Sequence, residues 1–175
     1  MKILLLKPFN KSDHIQPSLG LGYLAQAIRK DHDVRILDCI KERIDADRLE
    51  GVLEEYSPDV LGMQCYTFDL GFVDAALKSA KAFNKKIVTV VGGPHPSAAS
   101  AEMMDIFKDS LDFLFAGEAE IGFPRLLERL NSGVKDLTGV PGLVWREAGI
   151  LRSNPKAVVE DLDLIPMPAW DLIRP

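Results

Sequence analysis

Apolar runs and amphipathic stripes alternate along the chain, and each run predicts one element. Lys2–Lys7 is an aliphatic run closed by Pro8 and predicts a first strand. After a polar loop, Ser18 stands as a helix N-cap before Leu19-Gly20-Leu21-Gly22-Tyr23-Leu24-Ala25, with Arg29 and Lys30 suiting the far end of the dipole. Val34–Asp38 predicts a second strand. Leu49, Val52, Leu53 and Tyr56 share one face of a helix that Ser57-Pro58-Asp59 breaks. Val60–Cys65 predicts a third strand, and Phe72, Val73, Ala76, Leu77, Ala80 and Phe83 a third helical stripe. Ile87–Val91 follows as strand four, Ala98–Phe107 as helix four and Phe113–Ala116 as strand five. Ile121, Phe123, Leu126, Leu127 and Leu130 mark a fifth helix ended by Asn131-Ser132-Gly133.

This βα repetition predicts an α/β fold: a flavodoxin-like, Rossmann-like, doubly wound parallel sheet of five strands in the order 2-1-3-4-5. The switch point then lies between strands one and three, and the loops after Lys7, Cys65, Val91 and Ala116 surround one crevice. Beyond Gly133 the rhythm changes. Gly142–Arg146 and Ile150–Ser153 flank Glu147-Ala148-Gly149 as a β-hairpin. From Pro155 the tail is irregular, because prolines interrupt it, yet Ile165, Met167 and Trp170 suit a strip lying on another surface, with no terminal helix. The expected organisation is a ligand-binding domain over 1–133, a hairpin appendage over 134–154 and a linker segment over 155–175.

Composition narrows the classes. The 175 residues carry a formal charge of −5, which disfavours a nucleic-acid binder, although Lys7, Lys11, Arg29 and Lys30 offer a small positive zone. Met1–Leu6 lacks the core and cleavage site of a signal peptide, and no run approaches the ~20 apolar residues that span a bilayer. Cys39 and Cys65, lacking metal-ligand spacing, read as two buried reduced thiols of a cytoplasmic protein.

The chemistry-bearing residues collect in the loops of the crevice. Val90-Val91-Gly92-Gly93-Pro94-His95-Pro96-Ser97 is the strongest of these segments: the glycines let backbone approach a ligand at a strand end. Ser18, Leu19 and Gly20 open a helix whose free N–H groups suit a phosphate or amide. Tyr66 is placed to lean over a flat cofactor, while Thr67 and Asp69 suit capping the next helix. Gly117 and Glu118 suit a ligand hydroxyl or amide, whereas Glu120 reads as a carboxylate stabilising a helix start. His32 reads as exposed in a polar turn. No nucleophile stands beside a base and no histidine pair has metal spacing, so the expected catalytic and metal sites are none. A receiver domain is disfavoured because strand one ends in Lys7-Pro8 rather than an acidic cluster.

Five segments in this order carry a family likeness: Ser18–Ala25, Pro58–Gly62, Val91–Ser97, Gly117–Glu120 and Pro166–Asp171. Together they resemble the N-terminal cobalamin-binding region of cobalamin-dependent radical S-adenosylmethionine enzymes. That group includes the anaerobic magnesium-protoporphyrin monomethyl ester cyclase and class B methyltransferases. The resemblance implies that cobalamin lies over the strand ends, with its nucleotide tail entering between Gly92-Gly93-Pro94-His95 and Gly117-Glu118. Small residues at Gly62, Gly92 and Gly93 would make room for it. The implied cofactor contacts are Ser18, Leu19, Gly20, Tyr66, Thr67, Gly92, Gly93, Pro94, His95, Ser97, Gly117 and Glu118. It further implies a downstream radical S-adenosylmethionine domain with an iron-sulfur 4Fe-4S cluster on C-x3-C-x2-C, a motif this chain lacks. The D-x-H-x-x-G motif of other corrinoid enzymes is absent too, since Asp13 and His14 are adjacent, so a histidine lower ligand is not implied, though His14 could approach the metal. Ala119 stands where relatives often have glycine. Two other readings stay open: a non-catalytic module for a nucleotide-like ligand, and a flavin carrier, for which Lys7–Ser12 matches poorly.

Overall fold

Seven strands form one sheet in the order β2-β1-β3-β4-β5-β6-β7 in the computed structural model, which describes residues 1–11, 16–156, 159, 161, 163 and 165–174. The parallel part joins β1 (Lys2–Lys7), β2 (Asp33–Asp38), β3 (Val60–Gln64), β4 (Val88–Gly92) and β5 (Phe113–Phe115) in the predicted order 2-1-3-4-5. The strand count is larger than five because the hairpin, β6 (Leu143–Glu147) and β7 (Ile150–Ser153), pairs antiparallel with the edge of β5. An edge strand offers unpaired N–H and C=O groups, and β6 satisfies them.

Alternation along the strands builds two cores, because successive side chains point to opposite faces. Leu4 and Leu6 pack with α2 (Leu49–Tyr56), α3 (Leu70–Phe83) and α5 (Ser100–Ile106). Ile3 and Leu5 pack with α1 (Leu19–Ile28) and α6 (Gly122–Ser132). β1 is therefore buried on both faces, as its unbroken aliphatic run requires. Cys39 and Cys65 are buried free thiols, and burial pushes each up to about 12. Among the described residues no helix is long and apolar enough to cross a membrane.

Several local expectations are corrected. The segment after β4 is helical at once, as α4 (Pro94–Ala98), and a break at Ala99 separates it from α5. Gly93 at φ +112° turns the chain within one residue, and Pro94 suits a helix start, so no loop is needed. His32 is half-buried rather than exposed, and its desolvation lowers its pKa. The positive zone is partly neutralised: Lys7 pairs with Asp38 and Arg29 with Asp171.

The tail does end in a helical turn, α7 (Trp170–Ile173), and it lies on its own domain. Ala169 N donates to Gly22 O at 3.0 Å, and Arg29 donates twice to Asp171, at 2.8 and 2.7 Å. Pro168, Ala169 and Ile173 are buried, while Met167 and Trp170 stay exposed. Gly22 is what admits this strap: a Cβ there would lie 2.8 Å from Ile173 Cδ1 and 3.0 Å from Pro168 Cβ. Gly22→Val is therefore expected to weaken strap docking by about 1–2 kcal/mol while leaving the sheet intact. Hydrogen exchange should accelerate at Ala169 and Leu172 with the strand amides unchanged; uniform protection would refute the docking role.

Candidate functional site

A cleft of about 820 Å³ opens at the carboxyl ends of the parallel strands. Its mouth is formed by the start of α1 and the segments after β3, β4 and β5. Its floor reaches the sheet face that carries Leu5, Gly62 and Val90, beside Phe115 and Phe123. Gly62 pairs in register with Leu5 on one side and Val90 on the other. A residue without a side chain between two that have one leaves a depression in the sheet.

Each wall has its own support. Lys7, buried at the end of β1, donates from Nζ to Gln16 O and to Asp38 Oδ2, both at 2.8 Å, and so fastens the segment leading into α1. Ser18 occupies the N-cap position but makes no capping bond; its Oγ donates to Gln64 Oε1 instead. The first turn of α1, without a side-chain cap, lines the cleft through Leu19, Gly20 and Leu21. Tyr66 and Phe68 stack at 5.5 Å between ring centroids and 3° between planes, exposed by 43% and 71%. Asp69 beneath them accepts from Tyr66 N at 3.0 Å. Burial raises its pKa, against the Tyr66 amide, an Asn10 side-chain hydrogen bond and the Lys7 charge.

The segments after β3, β4 and β5 are tied together by backbone and one serine. Cys65 N donates to Gly92 O at 2.8 Å, and His95 N donates to Cys65 O at 3.2 Å. A Cβ on Gly93 would meet both Cys65 N and Cys65 O at 3.1 Å, so this glycine serves close backbone contact. Ser97 Oγ donates to Gly93 O at 2.7 Å and accepts from Gly117 N at 2.9 Å, linking the fourth segment to the fifth.

Of the residues singled out from the sequence, Ser18, Leu19, Gly20, Tyr66, Gly92, Gly93, Pro94, Gly117 and Glu118 line the cleft. Thr67 and His95 stand outside that lining, with Thr67 Oγ1 3.0 Å from His95 Nδ1. Ser97 is the link just described. His14 and Asp13 lie outside the described residues. Lining residues not expected as contacts from the sequence include Lys7, Gln64, Phe68 and Glu120. Glu120 does not act as a helix cap: its Oε2 is buried and has no hydrogen-bond partner among the described residues, while Glu118 is the exposed one. Glu118 and Glu120 alternate in Gly117-Glu118-Ala119-Glu120, but which one faces inward depends on the turn before α6.

A doubly wound sheet with a glycine-floored opening at its switch point defines an α/β ligand-binding domain, with backbone and aromatic surface in its walls. The chain belongs to the B12 binding domain family, which it matches over residues 9–127. It is 32% identical to an uncharacterized methyltransferase, PH0819, of Pyrococcus horikoshii, over 99% of this chain and 39% of that protein. It is 24% identical to the anaerobic magnesium-protoporphyrin IX monomethyl ester cyclase of Rubrivivax gelatinosus, over 99% of this chain and 33% of that protein. The chain thus spans well under half the length of these relatives. The cobalamin-dependent S-adenosylmethionine radical enzyme OxsB, solved with aqua-cobalamin and S-adenosylmethionine bound, superposes with a TM-score of 0.79. That match covers 98% of this chain and 24% of OxsB, and at 19% identity it is a likeness of fold.

Proposed function

We propose that the chain binds cobalamin in this cleft and presents the corrin to a radical S-adenosylmethionine domain in the remainder of a longer enzyme. The observation that carries the reading is the opening of about 820 Å³ at the strand ends, with a floor that a side chain on Gly62 would fill. An α/β core is close-packed by default, so a slot reaching the sheet needs a bulky ligand to justify it. The residues present fit the group. Gly92, Gly93 and Pro94 on one side and Gly117 and Glu118 on the other would flank the nucleotide tail. Tyr66 and Phe68 offer a flat apolar surface to the ring. The uncapped amides after Ser18, at Leu19 and Gly20, suit the tail's phosphate. Thr67 with His95, and Ser97, hold the surrounding segments in place.

Bound cobalamin supplies the cobalt centre for methyl transfer or, in a cyclase-like parent, for ring cyclisation. The chain itself supplies position and exclusion of water. S-adenosylmethionine and the 4Fe-4S cluster would belong to the partner domain. On this reading 1–133 is the cobalamin domain, 134–154 its hairpin and 155–175 the segment leading onward. Free Cys39 and Cys65 suit a reducing cytoplasm.

Titration with hydroxocobalamin, followed by visible spectrum and calorimetry, tests the reading. Saturable binding is expected below ~100 μM, equivalent to at least roughly −5.5 kcal/mol. No uptake at that concentration would overturn it.

A further inference from the structure

We infer that Glu120 is a recognition residue of the cleft, accepting a hydrogen bond from a neutral N–H or O–H donor on the corrinoid. The inference rests on the cobalamin reading above and adds to it which acidic residue meets the ligand and through what chemistry. Glu120 lines the cleft at the turn before α6, and its Oε2 is shut off from solvent with no donor among the described residues. Buried polar atoms in folded proteins are paired in the great majority of cases, and a charged oxygen left unpaired is the costlier exception. An orphan acceptor in the wall of a ligand cleft is accounted for when the ligand brings the donor.

The charge of the segment restricts that donor. Glu118 and Glu120 both line this wall, which disfavours the phosphate of the nucleotide tail here. Neutral donors on cobalamin are of two kinds, the amide side chains of the corrin and the hydroxyl groups of the tail. Either offers the N–H or O–H that an ionised carboxylate accepts. The neighbouring Glu118 is exposed at the rim, so of the two carboxylates in this segment it is Glu120 that needs a ligand donor.

Glu120→Ala and Glu120→Gln, titrated with hydroxocobalamin and with dicyanocobinamide, which keeps the corrin amides and lacks the nucleotide, test the assignment. The alanine variant is expected to bind hydroxocobalamin about tenfold more weakly or worse, a charged hydrogen bond being lost. The glutamine variant keeps a carbonyl acceptor and should retain most of the affinity. Loss confined to hydroxocobalamin would identify a tail hydroxyl as the donor; equal loss with both ligands would identify a corrin amide. Without ligand both variants should melt no lower than the wild type, because the substitution removes an unsatisfied group. Wild-type affinity within twofold for the alanine variant with both corrinoids would overturn the assignment. So would a lowered ligand-free Tm accompanying the loss, which marks a structural role. A wild-type chain that takes up neither corrinoid fails the cobalamin reading itself, and this inference with it.

Discussion

Gly62→Leu is expected to weaken hydroxocobalamin binding by about a hundredfold or more, roughly 3 kcal/mol, with the fold retained. Gly62 lies in β3 between Leu5 and Val90, on the face that floors the cleft. A Cβ at this position would lie 2.9 Å from Leu5 Cδ2 and 3.8 Å from Phe123 Cζ. The tight neighbour is the end of a flexible side chain beside open space, so Leu5 can turn aside and the strand can keep its hydrogen bonds. The leucine then occupies the volume that the ligand requires. Gly62→Ala, which adds one methyl, should cost far less. Gly93 is the poorer probe: its φ of +112° and its contact with the Cys65 backbone mean that substitution strains the protein before any ligand is considered. A folded Gly62→Leu chain with unchanged uptake would place the ligand elsewhere.

Gly122→Ala is expected to destabilise the domain by about 3 kcal/mol, lowering Tm by roughly 10 °C. Gly122 opens α6, and a Cβ there would fall 2.3 Å from Pro141 O and 2.6 Å from Phe115 Cε1. The first of these is backbone, which cannot rotate away as Leu5 can. Relief requires α6 to move off the segment that leads into β6, and Phe123, Leu126 and Leu127 would move with it. Because Phe115 and Phe123 also line the cleft, hydroxocobalamin affinity should fall along with stability. Calorimetric melting of the two chains decides the matter; an unchanged Tm would show that the helix has slack at this contact.

These two glycines illustrate how much was legible beforehand. Gly62 interrupts a buried apolar run, and the resemblance already marked it as a place without bulk. Nothing around Gly122 announced its constraint, because Pro141 lies far along the chain and meets α6 only after β6 docks on β5. Ser18 shows the same limit at short range. A serine before a helical stripe reads as a cap, yet Gln64 arrives from another strand and takes its hydroxyl. Likewise Ser97, within the glycine segment, reads as a ligand contact, while its hydroxyl lies between Gly93 O and Gly117 N.

The parallel order of β1 to β5 and the position of the crevice followed from sequence alone. Hydrophobic period, turn residues and the handedness of crossovers leave few other arrangements of such a chain. The attachment of the hairpin to β5, the strap against Gly22 and the inward carboxylate of Glu120 were decided by tertiary structure. Each depends on which distant group reaches an unpaired edge, a bare helix surface or a buried oxygen first. Those are meetings between residues widely separated along the chain, and local pattern does not encode them.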